Sequence, residues 1–236
     1  MVNTILDNRY IRNFKSLTKS DQKKLNQSRI SIIGLGGLGG CVLEMLARIG
    51  IGHICAIDHD TFDASNLNRQ ILSQESLIGI SKTNAAIKHI KSINSQINIK
   101  CINKCLNKDN AHDLIKGSNI VIDCLDSIKT RFVLQEACKK VSIPLVSGAI
   151  EGASGQVSVI FPQDKGFELI YGDKKTLTKK TNNGNDLGNL SFCVFFISSL
   201  QVSECIKIIL KRKHILRNKL FVADLWTNSF DIVNLI

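Results

Sequence analysis

Residues 30–60 decide the fold, and they read ISIIGLGGLGGCVLEMLARIGIGHICAIDHD. A short apolar run leads at once into a glycine-rich turn. An apolar segment of helical length follows, and then a second apolar run that ends in Asp58. Strand, glycine turn, helix, strand and acid, in this order, are typical of a nucleotide-binding βαβ unit. The sequence therefore predicts a nucleotide site at the glycine turn of an α/β protein.

Each glycine of this turn has its own predicted task. Gly34 permits a tight turn out of the strand, Gly36 lets a ligand approach bare backbone, and Gly39 lets the helix pack close to the sheet. The free N–H groups at the start of the following helix would face the phosphates. The Asp58 carboxylate is placed to accept hydrogen bonds from ribose hydroxyls. Because loops of this kind also bind NAD, FAD or S-adenosylmethionine, the pattern alone does not specify the chemistry.

The next segment narrows the interpretation. Residues 65–70 read Ser-Asn-Leu-Asn-Arg-Gln, which places Arg69 shortly after the ribose-binding acid. A dehydrogenase has no evident need for that arginine, whereas a protein that handles ATP needs positive charge against the triphosphate. Lys82 opens a helix predicted over residues 81–92 and can turn toward the same phosphates. The alternative for Lys82 is a solvated surface lysine, as most lysines are.

Two acids follow a predicted central strand. The apolar run of residues 119–123 indicates a buried parallel strand, and Asp123 and Asp126 stand at its end. Sites in open α/β sheets lie beyond the carboxyl ends of the strands. Two acids near Arg69 and Lys82 would therefore suit Mg²⁺ bound to phosphates. Alternatively, Asp126 would cap the helix predicted over residues 127–141.

Taken together, these motifs resemble those of the ThiF/MoeB/HesA superfamily, the bacterial and archaeal relatives of ubiquitin-activating enzymes. In chain order they are Gly34-x-Gly36-Gly37-x-Gly39, Asp58-x-Asp60, Asn66-Leu67-Asn68-Arg69-Gln70, Lys82, Asp123-Cys124-Leu125-Asp126, Pro144-Leu145-Val146-Ser147-Gly148 and Gly155-Gln156-Val157. The resemblance runs from Arg9 to about Leu235. The order and spacing of the motifs are more specific than any one of them.

The resemblance implies an adenylyltransferase, in which a carboxylate attacks the α-phosphate of ATP and pyrophosphate leaves. Arg12, Arg69 and Lys82 would neutralise the phosphates, and Asp126 would hold Mg²⁺. The implied nucleotide-binding residues are Gly34, Gly36, Gly37, Gly39, Asp58, Asp60, Asn66, Asn68 and Gln70. The expected substrate is the C-terminal Gly-Gly of a small ubiquitin-like sulfur carrier protein that serves thiamine or molybdopterin synthesis.

One domain is predicted over residues 1–236, with an N-terminal helical arm over residues 1–28 and a crossover loop over residues 163–189. Its class is α/β and Rossmann-like: a mainly parallel twisted sheet with helices on both faces and an antiparallel C-terminal extension. In the resembling family, the arm reaches into the site of the other subunit of a homodimer, where the residue matching Arg12 contacts ATP. The alternative for Arg12 is a surface arginine near a chain end. The crossover loop of the family covers the carrier tail and the adenylate.

Composition argues against several other classes. The net charge is +11, yet no basic run is interleaved with aromatic residues. We therefore favour a solvated basic surface, then attraction of ATP and an acidic partner, and nucleic acid only third. The most apolar stretch, residues 192–210, contains Gln201, Glu204 and Lys207, which indicates a buried helix and not a membrane span. The polar start of the chain carries no targeting signal, so a cytoplasmic protein is expected.

The cysteines depart from the family pattern. The eight cysteines form no Cys-x-x-Cys pair, so no structural zinc site is predicted. Residues 168–171, Glu-Leu-Ile-Tyr, stand where the first such pair of many relatives would fall. The loop cysteine that many relatives use for a thioester or persulfide falls on Gly184, and the nearest thiol is Cys193. A covalent sulfur step is therefore in doubt, whereas adenylation needs no nucleophile from the protein.

Three alternatives stay open. Relatives without zinc and without the loop cysteine adenylate other carboxylates, as in peptide maturation, guanylylpyridinol cofactor synthesis or threonylcarbamoyl-tRNA cyclisation. An NAD-dependent oxidoreductase could share the fold, but Arg69, Lys82 and Asp126 would then have no role and no proton donor for hydride chemistry is evident. A nonenzymatic carrier-binding module would retain the fold without ATP turnover.

Overall fold

The structure is a computed structural model that describes residues 8–173 and 187–236. In the described part, one sheet has the strand order β3-β2-β1-β4-β5-β6-β7-β8. The strands are β1 (Arg29–Ile33), β2 (His53–Asp58), β3 (Asn98–Asn103), β4 (Ile120–Asp123), β5 (Leu145–Glu151), β6 (Ser154–Ile160), β7 (Lys219–Asp224) and β8 (Ser229–Asn234). The pairs among β1 to β5 are parallel, and β6, β7 and β8 add antiparallel pairs. The predicted fold class is confirmed.

Helices cover both faces of the sheet. They are α1 (Lys19–Gln27), α2 (Gly37–Ile49), α3 (Lys82–Ile93), α4 (Ala111–Ile115), α5 (Ile128–Val141), α6 (Phe167–Tyr171) and α7 (Ser191–Ile209). One buried core joins α2, α3 and α7, and the other joins α4, α5 and α6. Neighbouring residues of β1 enter different cores, Ile32 the first and Ile33 the second, because side chains alternate across a strand. The two layers leave the carboxyl ends of the strands open to solvent.

The topology creates a crevice beside β1. The chain runs from β1 through α2 to β2 on one side, and later returns through α4 to β4 on the other side. Because these two connections leave in opposite directions, neither of them covers the carboxyl ends of β1 and β4, and a crevice remains there. The glycine turn after β1 and the loop before α5 therefore face each other across this gap.

α7 has the length and composition of a membrane-spanning helix, but it is part of the core. Three of its polar side chains are buried and make specific hydrogen bonds. Ser198 donates to the Leu38 carbonyl at 3.2 Å, Gln201 donates to the Asp123 carbonyl at 2.8 Å, and Glu204 accepts from the Leu216 N–H at 2.8 Å. These contacts agree with the buried helix predicted from the sequence.

The N-terminal segment packs on its own chain at the amino edge of the sheet. A 3-10 turn, Asn8–Asn13, precedes α1. The buried Tyr10 hydroxyl accepts from Asn94 Nδ2 at 2.8 Å, and Gln22 Nε2 donates to the Ile49 carbonyl at 2.8 Å. Because α2 and α3 end at these contacts, the segment lies opposite the carboxyl ends of the strands.

One segment differs from the sequence prediction. The crossover loop expected over residues 163–189 is regular at its start, where α6 forms. Phe167 of α6 is fully buried against Phe132, with ring centroids 5.7 Å apart. Residues 174–186, which include the loop lysines and Gly184, lie outside the described residues.

Candidate active site

A cavity of about 880 Å³ opens outside the carboxyl ends of the parallel strands. Many of the residues singled out in the sequence line it. They are Gly34, Gly36, Gly37, Asp58, Asp60, Asn66, Arg69, Gln70, Lys82 and Asp126. A volume of this size is typical of sites for small-molecule ligands. The fold thus brings together residues that are up to 92 positions apart in the chain, from Gly34 to Asp126.

The glycine turn has the geometry that its sequence predicts. Gly34 has φ of +95°, and an added Cβ would lie 2.7 Å from the Cys124 carbonyl oxygen. A Cβ on Gly39 would overlap the Gly34 carbonyl oxygen, so the start of α2 packs directly on the turn. The space beside Gly36 is open, since the nearest atom to an added Cβ is Gln70 Nε2 at 3.9 Å. Gly39 does not line the cavity, and its role is to allow the start of α2 to pack closely on the turn.

The Asp58 carboxylate connects the glycine turn to the end of β2 through two hydrogen bonds. One carboxylate oxygen accepts from the Leu35 N–H at 2.5 Å, and the other accepts from the Asp60 N–H at 2.8 Å. Each carboxylate oxygen can accept a further bond, so a ribose hydroxyl can still be received. The sequence indicated the ribose role of Asp58, but it gave no sign that the same carboxylate positions the turn.

Lys82 is not a solvated lysine. Its side chain is buried, and Nζ lies 2.9 Å from Asp60 Oδ2. The Asp60 side chain is half exposed, and the backbone carbonyl of Asp60 accepts from the Lys82 N–H at 3.0 Å. The pair fixes the ammonium group on the cavity wall, where it can donate its remaining protons to phosphate oxygens. The alternative of a surface lysine is therefore wrong.

Arg69 is positioned by its own loop. Its Nη1 donates to the Ser65 carbonyl at 2.9 Å and to Asn68 Oδ1 at 2.8 Å. A guanidinium has five N–H donors, so most of this donor capacity remains for a ligand. Asn66 lines the cavity, but its Oδ1 accepts from the Asp63 N–H at 3.2 Å and stabilises the turn.

Asn68 and Gln70 have different surroundings. Asn68 does not line the cavity, and its Nδ2 donates to the Asn189 carbonyl at 3.2 Å, which ties the loop to the segment before α7. Gln70 is buried, and among the described residues its Oε1 has no hydrogen-bond partner. An unpaired buried acceptor costs roughly 1–3 kcal/mol, so a ligand that donates to Gln70 would recover that cost.

The two acids after β4 have different surroundings, because Asp123 is buried and Asp126 is exposed. Asp123 is fully buried and accepts from the Ser147 hydroxyl at 2.7 Å and the Leu125 N–H at 3.0 Å. Burial raises the pKa of Asp123, against the opposing charge of Arg131. The expectation that both acids hold Mg²⁺ is therefore wrong for Asp123, which is enclosed in the core. Asp126 is exposed and lines the cavity.

Asp126 is also free of the capping role considered for it. Helix α5 begins at Ile128, and its cap is Ser127, whose hydroxyl accepts from the Thr130 N–H at 3.4 Å. Mg²⁺ sites commonly combine one or two carboxylates with substrate phosphates, so this single exposed acid fits the ion. Asp58, His59 and Asp60 also lie close together, but Asp58 and Asp60 already have the partners described above.

Arg12 does not line the cavity of its own chain. It is exposed on the 3-10 turn at the amino edge of the sheet, beside the buried Tyr10. A role at the phosphates would therefore require the arm of a second chain, and that role stays a prediction.

Sequence reasoning missed a polar group on the α5 side of the cavity. Arg131 is buried, and it donates to the Leu125 carbonyl and, at 3.2 Å, to the Tyr171 hydroxyl. Gln156 Nε2 donates to the same hydroxyl at 2.8 Å. An arginine beside the apolar residues of the buried face of α5 was the available signal, since such a residue needs buried partners.

The cysteine nearest to the expected loop position is poorly suited to covalent chemistry. Cys193 is buried at the start of α7, and its thiol donates to the Ser154 carbonyl at 3.3 Å. Burial raises the pKa of the Cys193 thiol to about 11, so the reactive thiolate is scarce at neutral pH.

Cys193→Ala is expected to leave ATP–pyrophosphate exchange within about twofold of the unchanged protein, because adenylate formation needs no thiol. The measurement is exchange at saturating ATP, with the circular dichroism spectrum as a check on folding. Loss of exchange in a folded variant would contradict this expectation and would indicate that the Cys193 thiol takes part in a covalent step.

Comparisons with known proteins show the family of the chain and its fold. The model of the ThiF family matches residues 8–236. Adenylyltransferase and sulfurtransferase MOCS3 of Drosophila persimilis is 35% identical over 204 residues, which are 86% of this chain and 45% of the relative. SAMP-activating enzyme E1 of Haloferax volcanii is 27% identical over 212 residues, covering 90% of this chain and 78% of that protein. This chain thus spans about half the length of MOCS3.

A solved structure shows the same fold. The crystal structure of E. coli MccB with ATP matches with a TM-score of 0.84 and 23% identity, and it covers 98% of this chain and 72% of that chain. Another crystal structure, of MccB with AMPCPP and MccA, has a TM-score of 0.86 at 22% identity.

Proposed function

This chain belongs to the ThiF family, and on that premise we propose that it is an ATP-dependent adenylyltransferase. A carboxylate oxygen of the substrate attacks the α-phosphorus of ATP and forms an O–P bond. The bond from the α-phosphorus to the bridging oxygen breaks, and pyrophosphate leaves with its electron pair. The observation that supports this proposal is that Arg69, Lys82 and Asp126 share one cavity with the glycine turn.

The residues of the cavity suit this reaction step by step. The ribose lies at Asp58, and the N–H groups of the glycine turn face the phosphates. Lys82 and Arg69 then neutralise charge that grows on the leaving pyrophosphate. Asp126 would hold Mg²⁺, which supplies further neutralisation of the triphosphate when it is bound. Positioning and electrostatic stabilisation account for most of the catalysis in such a site.

We further propose that the substrate is the C-terminal Gly-Gly of a ubiquitin-like sulfur carrier protein of the thiamine or molybdopterin type. The names of the relatives support this class, since one is an adenylyltransferase and sulfurtransferase and another a SAMP-activating enzyme E1. A second candidate is a peptide carboxylate. The buried Cys193 favours it, because a peptide adenylate needs no sulfur step.

We also propose that the protein is a cytoplasmic homodimer. Large apolar side chains are exposed on α7 and the C-terminal hairpin, and they are Phe192, Phe195, Trp226, Phe230 and Ile232. Contiguous exposed apolar groups of this kind are typical of surfaces that bind another protein. A second copy of this chain, or the carrier protein, would cover them.

The proposed function is tested by ATP–pyrophosphate exchange with a panel of Gly-Gly-ended carrier proteins, peptides and small carboxylates. Exchange that depends on one of these carboxylates is the expected result. Calorimetry should also show tighter binding of ATP with Mg²⁺ than of NAD. Tighter binding of NAD would favour an oxidoreductase, and ATP binding without any exchange would favour a nonenzymatic binding module.

Cys105 gives an independent prediction about the nucleotide. It is the exposed cysteine among the eight, and it lines the cavity just beyond β3. Brief alkylation with iodoacetamide is expected to modify Cys105 first, and saturating ATP is expected to slow this reaction at least tenfold. Peptide mass mapping measures the rate, with Cys105→Ser as the control. An unchanged rate under saturating ATP would place the nucleotide elsewhere.

A further inference from the structure

Tyr171 places its hydroxyl in the wall of the cavity. The ring ends α6 and packs on Phe167, with centroids 5.7 Å apart. The hydroxyl accepts from Arg131 Nη1 at 3.2 Å and from Gln156 Nε2 at 2.8 Å. Tyr171, Arg131 and Gln156 all line the cavity. The oxygen is therefore held from two sides by groups that border the same space.

With these contacts in place, the Tyr171 hydroxyl can still donate its own hydrogen bond. A phenol has one O–H to donate, and here both contacts are donated to its oxygen. In the part of the chain that the structure describes, no acceptor receives the Tyr171 proton. Burial raises the pKa of the Tyr171 hydroxyl, against the opposing charge of Arg131, so the proton is retained at neutral pH.

The position of this donor along the sheet edge suits the acyl substrate. The strand order from the ribose side is β2-β1-β4-β5-β6. Asp58 ends β2, the glycine turn follows β1, and Asp126 follows β4. Gln156, on β6, lies at the same edge because β6 is antiparallel to β5. A nucleotide at β2 and β1 leaves the β6 end of the cavity for the group that attacks the α-phosphorus.

We propose that the Tyr171 hydroxyl donates a hydrogen bond to an oxygen of the acyl substrate and so positions the carboxylate for attack. The inference rests on the proposed adenylation. A carboxylate only accepts hydrogen bonds, and the two hydrogen bonds donated to the Tyr171 oxygen strengthen its O–H as a donor.

The test compares two ligands that differ only in the acyl group, 5′-O-sulfamoyladenosine and 5′-O-[N-(N-acetylglycyl)sulfamoyl]adenosine. The wild-type chain should bind the acylated ligand more tightly, and Tyr171→Phe should lose about tenfold to hundredfold of that affinity. Its affinity for sulfamoyladenosine should not change. Ser158→Ala is the control, since it removes a buried hydroxyl of β6 that lies outside the cavity and donates to the Lys219 carbonyl at 2.8 Å, and it should leave the ratio of the two affinities unchanged.

A second measurement uses the unsubstituted protein, in case Tyr171→Phe does not fold. The chain has two tyrosines, so ring-labelled protein gives two assignable sets of NMR signals. The acylated ligand should shift the signals of Tyr171 well beyond the effect of sulfamoyladenosine. An equal gain from the acyl group in wild type and Tyr171→Phe, or no gain in either, would overturn the inference. If neither ligand bound the wild-type chain, the proposed adenylation itself would fail.

Discussion

Lys82→Ala is expected to lower ATP–pyrophosphate exchange by about a hundredfold to a thousandfold, the usual effect of removing one preorganised group that stabilises charge in a transition state. The buried ammonium lies 2.9 Å from Asp60 Oδ2, so it is fixed on the cavity wall before ATP arrives. An alanine leaves the growing charge of pyrophosphate without this partner. The measurement is the exchange rate at saturating ATP, with ATP affinity determined separately by calorimetry.

Two further variants separate the charge of Lys82 from its structural contact. Asp60→Asn breaks the ion pair but keeps the ammonium group, and its effect on exchange should be smaller than that of Lys82→Ala. Lys91→Ala removes a lysine at the other end of α3, where Nζ donates to the Ser95 and Ile97 carbonyls, and exchange should stay near the wild-type rate. Equal losses in Lys82→Ala and Asp60→Asn would mean that the pair only supports the fold.

Arg12→Ala and Asp126→Ala are each expected to reduce exchange nearly to background in homodimers, yet their mixture should recover activity. In the proposed dimer, each site takes Asp126 from one chain and Arg12 from the other. A mixed dimer then has one site with both residues intact and one site with neither. Random pairing of equal amounts makes half of the dimers mixed, so about a quarter of all sites should be intact.

The mixing experiment needs independent proof of subunit exchange, for which two differently tagged variants and native mass spectrometry suffice. Arg9→Ala is the control, because Arg9 donates to the Ile93 carbonyl of its own chain at the amino edge. We expect that variant to be active alone and unchanged by mixing. Absence of recovery despite confirmed exchange would show that Arg12 acts within its own chain or has no role at the phosphates.

Local sequence was sufficient for the conformation of the glycine turn. Gly34 has a positive φ, and an added Cβ on Gly39 would overlap the Gly34 carbonyl oxygen, as the pattern predicts, because backbone freedom and contacts within one turn depend on residues close in sequence. The alternation of apolar runs and helical segments likewise predicted the parallel sheet. Since parallel strands align their carboxyl ends, the location of the cavity followed from the strand order.

Side-chain partnerships depended on the tertiary structure. Asp123 and Asp126 are three residues apart and chemically identical, yet only the packing of β4 between β1 and β5 buries the first and leaves the second in the cavity. Lys82 could be assigned to the site or to solvent from its sequence, and the contact with Asp60 decided between them. In each case, the deciding neighbour was brought close by folding.

The glycine turn and the periodicity of the apolar residues thus determined the architecture and the edge of the sheet at which the cavity opens. The tertiary structure alone decided which polar groups on that edge have partners. Arg131 meets Tyr171 across 40 positions, and Asn68 meets Asn189 across 121 positions. No periodic pattern encodes such pairs, because hydrogen bonds between distant residues form only after the apolar cores have fixed the strands and helices that hold them.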